Sequence, residues 1–351
     1  MNSYLLYLDV YRLCSNWQAK SIFINRYRRL GRCVFRYSCY LCDVDNREKY
    51  IGVNSIEFNR YFQTDEDCYR YLSEIKWSIV SPYQCKRCSH NNYGKGKKPY
   101  SRRCTKCNYD ESPTAGTMFD KMKFPLLIAF HICFKISTKK KGMSSLELSE
   151  EFGLRQKTAW EFKWKIQQAM ASSRRNQLEG TIQIDEFLIG QYEEGKVGRS
   201  GDSKKKLVIV ALEILVDKGS VGRAYAQVIE HASSKEFRPF FETYINKDAH
   251  VVTDLWKGYL PLRKDYPNLE QMPSEKGKGM QQLHIHIMNI QGWLRGIHHH
   301  CSKDRLQGYL DEYHFRYNRR AMMGSIFDLL IRKMVESEPK RLIKRNISTV
   351  V

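Results

Sequence analysis

Residues 181–190 read TIQIDEFLIG, and this stretch decides how the C-terminal half of the chain is built. Ile182 and Ile184 alternate with Gln183 and Asp185, the period of two that marks a β-strand with one apolar face. Asp185 stands among apolar neighbours, and a carboxylate so placed requires a cation or a hydrogen-bond partner. The run that follows, KKLVIVALEILV at 205–216, is almost continuously apolar, as a central strand covered on both faces must be. GRAYAQVIE (222–230) reads as a third strand and SSKEFRPFFETYI (233–245) as a helix, with Ser233 and Glu236 at capping-box spacing. AHVVTDLW (249–256) is a fourth strand that ends on Asp254, and the chain from Met288 to about Met334 reads as mostly helical. Strands and helices in this order predict an α/β layer structure.

Carboxylates at strands of such a sheet can converge on one metal site, where Mg²⁺ or Mn²⁺ would activate a water or a DNA hydroxyl and stabilise a leaving oxygen. Either Asp alone is commonly a cap or an ion-pair partner, so the pair calls for a third oxygen ligand from a helix beside the sheet. Asn289 lies 35 positions after Asp254, and Glu312 is the acidic alternative. His284 and His286 are read as packing or DNA-contact residues, because Mg²⁺ prefers oxygen. The run of three histidines at 298–300 is read as a solvated turn.

Upstream, Cys85 and Cys88 are followed by Cys104 and Cys107, with fifteen residues between the pairs. This is four-cysteine ribbon spacing. Each Cys-x-x-Cys turn sets two thiolates on one knuckle, four thiolates suit tetrahedral Zn²⁺, and no position is left open for substrate, so the zinc is expected to be structural. A second pair, Cys39 and Cys42, has no partner pair at that spacing. Helices are predicted from Asp65 to Trp77, with Thr64 as cap, and from Phe124 to Ile136. SSLELSEEFGLRQKTAWEFKWKI (144–166) reads as two short helices turning at Gly153. Leu146, Leu148, Phe152 and Leu154 would form the inner face, and Gln156 to Lys165 a recognition helix. An ordinary helical hairpin has the same pattern.

The chain has 351 residues, with 59 Lys and Arg against 38 Asp and Glu, a net charge of +21. The basic residues are spread along the whole length, which makes a polyanion the expected partner. Lys97, Lys98, Arg102 and Arg103 around the cysteines, with Arg155, Gln156 and Lys157 at the helical turn, are the candidate DNA contacts. Eleven cysteines without a secretory leader point to a reducing cytoplasm and metal rather than disulfides. The longest apolar stretch, Phe124 to Phe134, is too short to span a bilayer, so no membrane partner is expected.

The motifs CKRC…CTKC, GTMFDKMKFPL, GMSSLELSEEFGLRQKTAW, IQIDEF, VVTDLWKGY, NIQGWLRGIHHHCSKDRLQGYL and DEYHFRYNRR together resemble the insertion-sequence transposases of the IS fifteen-ninety-five group, whose domain is called ISXO-two-like. The resemblance runs from about Ser81 to Arg332. It implies a multidomain α/β protein: a ribonuclease-H-like DDE catalytic domain preceded by a zinc ribbon and a helix-turn-helix. By position it assigns Asp185 and Asp254 to the first two catalytic acids and Asn289 to the third, as Mg²⁺ or Mn²⁺ ligands. Gln291 stands where that branch has Lys, and Met288 where it has a small residue. The implied chemistry is metal-dependent strand cleavage by water and strand transfer by a DNA 3′-hydroxyl, with no covalent protein intermediate. The implied partners are double-stranded DNA, as terminal inverted repeats and target, and further copies of the chain assembled on that DNA, in a nucleoid-associated cytoplasmic location. The expected divisions are 1–62, an N-terminal extension; 63–118, zinc ribbon with its preceding helix; 119–175, helix-turn-helix; 176–332, catalytic domain; and 333–351, a basic tail. A catalytically inactive, transposase-derived DNA-binding protein is the alternative. A basic zinc-ribbon accessory protein of transcription or translation is a second rival, but it would need no paired Asp.

Overall fold

The computed structural model describes residues 49–171, 177–190, 205–216, 219–273, 279–298 and 301–338. Cys39, Cys42, His299, His300 and residues 339–351 lie outside the described residues. Helices α1 (Ser55–Tyr61) and α2 (Asp65–Glu74) come first. Thr64 caps α2 as the sequence predicts. Its hydroxyl accepts from the Asp67 N–H, and the Asp67 carboxylate accepts from the Thr64 N–H, so two otherwise orphaned donors are satisfied reciprocally. The chain then makes a π-helical turn at Ile75–Val80 and enters a small antiparallel sheet, β1 (Tyr93–Lys95), β2 (Arg102–Cys104) and β3 (Asp110–Glu111), in that spatial order.

Helix α3 (Leu126–Thr138) is apolar nearly all round because it is buried nearly all round. After it come α4 (Ser145–Phe152) and α5 (Gln156–Met170). Ser144 and Glu147 form a capping box on α4, and Gly153 ends it in the left-handed region at φ 61°, which a residue without a Cβ adopts at little cost. Leu148 is buried on the inner face of this pair, and Phe152 and Leu154 pack against the core, but Leu146 is 60% exposed. Its place two positions before Leu148 turns it about 200° round the helix, so the expectation that it faces inward is corrected.

The larger sheet holds β4 (Thr181–Ile189), β5 (Lys206–Leu215), β6 (Ser220–Ile229), β7 (His250–Thr253) and β8 (Leu269–Gln271). Their spatial order is β6-β5-β4-β7-β8. The first three strands form an antiparallel meander, and β7 and β8 run parallel to β4. Helix α6 (Ser234–Tyr244) covers one face, where Phe237, Phe240 and Phe241 meet Ile182, Ile184, Ile209 and Ala211. Helices α7 (Gln281–Ile297) and α8 (Lys303–Tyr317) cover the other, where Leu283, Ile287 and Leu310 meet Phe187, Val208, Val210 and Leu212. Strand β5 therefore sends alternate side chains into two apolar layers, which explains its unbroken hydrophobic run. Ser233 is the N-cap of α6, as expected from the sequence, but its side chain makes no capping hydrogen bond.

The last described helix, α9 (Ile326–Glu336), leaves the sheet and returns to α2 and α3. Phe327, Leu330 and Met334 join Tyr50, Phe58, Phe62, Leu72 and Phe130 in one core, and the Tyr71 hydroxyl donates to the Asp328 carboxylate. The expected divisions at residues 62 and 333 thus fall inside packed structure. Tyr50, Phe58 and Phe62 lie on one side of the first boundary and Met334 and Val335 beyond the second, and all are buried in that core. Aromatic rings of this size each contribute about 2–3 kcal/mol on burial, which ties the segments before and after the sheet to one helical layer. Among the described residues, no helix is long and apolar enough to cross a membrane.

Candidate functional site

The pairing of β4 with β7 sets Gln183 opposite Val252. Two residues further along both strands, the same register brings Asp185 level with Asp254, where β7 has just ended. Carboxyl ends of parallel strands are where α/β sheets present ligand-binding groups. Carboxylate oxygens of Asp185, Glu186 and Asp254 lie within 4.8 Å of one another. Both aspartates are locally pinned: the Glu186 N–H donates to Asp185 Oδ1 at 2.7 Å, and the Trp256 N–H donates to Asp254 Oδ1 at 3.0 Å. From β8, the Gln271 amide donates to the backbone carbonyls of Asp254 and Trp256, each at 2.9 Å, and clamps the loop that carries the second acid. Three carboxylates this close repel one another when ionised, and a divalent cation relieves the repulsion.

Glu186 is absent from the sequence reading. Strict alternation sends it to the face opposite Asp185, and only the end of β7 lets both side chains reach the same edge. The adjacent acids in IQIDEF are the one signal that could have marked it.

Asn289 is exposed on α7. Two polar α7 side chains that reach β4 are His284, with Nε2 at 3.8 Å from Asp185 Oδ2, and Gln291, whose amide donates to the Leu188 carbonyl at 3.2 Å. Residues 284 and 291 are two helical turns apart and share a face, whereas residue 289 is rotated about 140° from 284. Glu312, the alternative third acid, is fully buried elsewhere. Its carboxylate meets the Lys163 ammonium at 3.4 Å and Arg316 at 3.5 Å, and accepts from Gln167 at 2.8 Å. Burial works against its ionisation, but the two cations outweigh burial and hold its pKa below the usual value. His286 is a packing residue, its Nε2 3.2 Å from Nε2 of His314. His298 is half-buried and stacks on Tyr309 with ring centroids 3.8 Å apart, rather than standing in a solvated turn.

The four cysteines of the double pair form a second cluster, their sulfurs all within 4.8 Å of one another. Cys85 and Cys107 are 3.5 Å apart, and Cys88 and Cys104 3.6 Å. Four thiolates at about 2.3 Å from a tetrahedral centre stand about 3.8 Å apart, so the set fits zinc. The two knuckles repeat each other. The N–H of Ser89 donates to the Cys85 carbonyl and that of Asn108 to the Cys104 carbonyl, and Ser89 and Asn108 both have φ 57°. Burial raises the Cys85 thiol, yet the N–H groups of Arg87 and Cys88 and the neighbouring thiols outweigh it and bring it down to about 6. The His90 N–H lowers the Cys88 thiol, yet burial and the neighbouring thiols outweigh it and push Cys88 up to about 12, so one thiolate is favoured within the cluster and its neighbour keeps its proton. Lys76 ties this module to the helical layer by reaching Glu111 at 2.8 Å and the carbonyls of Ser112 and Ala115.

Of the candidate DNA contacts, Lys97, Lys98, Arg103, Arg155, Gln156 and Lys157 are exposed. Gln156 also donates to the Ser145 hydroxyl at 3.0 Å. Arg102 is half-buried. Its guanidinium lies 3.9 Å from the Tyr93 ring and 4.5 Å from the Trp77 ring, and these contacts give it a packing role beside the cysteines.

An acidic cluster at the carboxyl end of a parallel strand pair, on a mixed sheet covered by helices, defines a candidate divalent-cation site. Residues 177–318 match the family model of the ISXO2-like transposase domain, and this part of the chain is similar to that domain. The match takes in Asp185, Glu186, Asp254 and all of α7 and α8; the cysteine cluster precedes it. Comparison with curated proteins finds no match.

Proposed function

We propose that the protein is a DNA transposase of an insertion sequence, with a ribonuclease-H-like catalytic domain that cleaves element ends and joins them to target DNA. The observation that carries this reading is the convergence of Asp185, Glu186 and Asp254 inside the matched transposase domain. The strand order, an antiparallel meander continued by two strands parallel to its first, supports the ribonuclease-H-like assignment. The fit of a cation is supported by the three acids and by the His284 Nε2, a buried nitrogen with no hydrogen-bond partner beside Asp185.

Asp185 and Asp254, with Glu186, would hold Mg²⁺ or Mn²⁺. The bound cation supplies positive charge that polarises a phosphate oxygen and stabilises the leaving oxygen. The chain's own part is positional. The β4–β7 register fixes the spacing of the two aspartates, the Gln271 clamp holds the loop after Asp254, and the Trp256 N–H keeps that carboxylate in one rotamer. Asn289 is exposed on α7 and is not needed for this proposal.

Cys85, Cys88, Cys104 and Cys107 would hold one structural zinc in a ribbon. The α4–α5 pair would act as a helix-turn-helix, and the exposed Lys97, Lys98, Arg103, Arg155 and Lys157 would meet the DNA backbone. Bringing two element ends together calls for more than one copy of the chain.

The test is a strand-cleavage and strand-transfer assay with the purified protein, Mg²⁺ or Mn²⁺, and DNA carrying the flanking ends. Asp185→Ala and Asp254→Ala should each abolish cleavage and spare DNA binding. Full cleavage in either variant would remove the mechanism. DNA binding without any metal-dependent cleavage by the unaltered protein would favour an inactive, transposase-derived DNA-binding protein.

A further inference from the structure

We infer that His284 is a nitrogen ligand, through Nε2, for the divalent cation held by Asp185. The cation site is then mixed nitrogen and oxygen rather than all oxygen. This rests on the metal-dependent reading of the acidic cluster and adds a residue that the motif pattern does not assign.

The geometry is the first argument. Nε2 stands 3.8 Å from Asp185 Oδ2, too far for a hydrogen bond. Two ligand atoms bound to one ion at about 2.1 Å each can be up to about 4.2 Å apart, so the separation suits a shared cation.

The second argument is the state of the nitrogen itself. Nε2 of His284 is buried and has no hydrogen-bond partner. A desolvated, unpartnered ring nitrogen is costly, and native structures rarely leave one so. Other described histidines are placed differently: His90 meets Thr105 at 3.1 Å, His250 meets Glu270 at 3.0 Å and His286 meets His314 at 3.2 Å. On the same face of β4 as Asp185, two residues earlier, Gln183 also has a buried side-chain oxygen with no hydrogen-bond partner.

The third argument is orientation. Gln291, two turns further along α7, anchors the same helical face to the Leu188 carbonyl. This fixes the rotation of α7 and keeps the imidazole turned toward β4. Asn289, which the motif pattern offers as the third ligand, lies about 140° round the helix from His284 and is exposed.

The donor set has a consequence for metal choice. Mg²⁺ takes oxygen ligands and gains little from an imidazole, whereas Mn²⁺ accepts nitrogen more readily. The test uses the full-length, zinc-loaded protein without DNA. Mn²⁺ binding is followed by electron paramagnetic resonance, and pulsed measurements read the coupling of an imidazole ¹⁴N to the bound Mn²⁺. The expected result is Asp185-dependent Mn²⁺ binding with ¹⁴N coupling in the unaltered protein. In His284→Ala the coupling should disappear and Mn²⁺ affinity should fall by at least about tenfold, the scale of loss seen even for outer-shell partners, with Mg²⁺ affinity little changed. Asp185-dependent Mn²⁺ binding without ¹⁴N coupling overturns the role of His284 and leaves the transposase reading intact. No Asp185-dependent Mn²⁺ site at all overturns both.

Discussion

The Lys163 ammonium on α5 stands 3.4 Å from the Glu312 carboxylate on α8, with both side chains almost wholly buried. The pair joins the helical layer to the layer that covers the large sheet. Around it, Lys163 also donates to the Met143 carbonyl, and Arg316 donates to the Lys139 carbonyl at 2.9 Å. Burial holds Lys163 below its ordinary pKa, and Glu312 offsets that only in part.

Removal of the anion from this network should be severe. Glu312→Ala leaves Lys163 and Arg316 buried without their counter-charge, a change that costs about 3–5 kcal/mol. The expected outcome is a large drop in the denaturant midpoint with DNA cleavage lost only through unfolding. A destabilisation below about 1 kcal/mol would show that the network relaxes toward solvent.

Acid should weaken the fold before the carboxylates titrate. Burial, with the neighbouring charge of His314 and Arg320, pulls His286 down to about 2; burial, with Lys163 nearby, pulls His298 down to about 3; burial pulls His314 down to about 4. These rings are neutral in the folded protein and protonate near pH 6.5 when unfolded. Their contribution is therefore fully present above about pH 6.5 and declines as pH falls from there toward the folded-state values. Each should cost up to about 1.4 kcal/mol per pH unit in that window. Urea midpoints measured between pH 7 and pH 5 should fall, and His298→Asn should flatten the slope; an unchanged midpoint would contradict the buried neutral assignment.

The cysteine cluster should be a folding element. Cys88→Ser should release one zinc per chain, read by metal analysis. Loss of the knuckles should also free Arg102 from Trp77 and Tyr93 and change the Trp77 fluorescence, because structural zinc binding is coupled to folding. Unchanged zinc content would show that the four sulfurs are not its ligands.

Binding to duplex DNA should depend on salt through Lys97 and Lys98. Removing one phosphate-binding cation should reduce the slope of log affinity against log salt by about 1, because one fewer counterion is released on binding. The double change Lys97→Ala and Lys98→Ala is expected to flatten the slope and to leave thermal stability unaltered, since both side chains are exposed. Arg102→Ala should behave in the opposite way, lowering stability more than the slope. Identical slopes for the unaltered and double-variant proteins would place the DNA surface elsewhere.

Much of this protein is determined by local pattern alone. Period-two alternation located β4, a continuous apolar run located β5, and the Thr64 and Ser144 capping signals located the starts of α2 and α4, because each depends on residues within a few positions of one another. The double Cys-x-x-Cys announced a four-sulfur cluster for the same reason: spacing within a knuckle is a local property. What the tertiary structure decided is set by contacts between distant segments. The end of β7 beside β4 makes Glu186 a neighbour of both aspartates. The rotation of α7, fixed by packing against the sheet, turns His284 toward Asp185 and leaves Asn289 exposed. The return of α9 to α2 and α3 merges the two ends of the described chain into one core. Linear distance from Asp254 could count positions to a third ligand, but only the angle at which a packed helix presents its side chains determines which of them reaches the site.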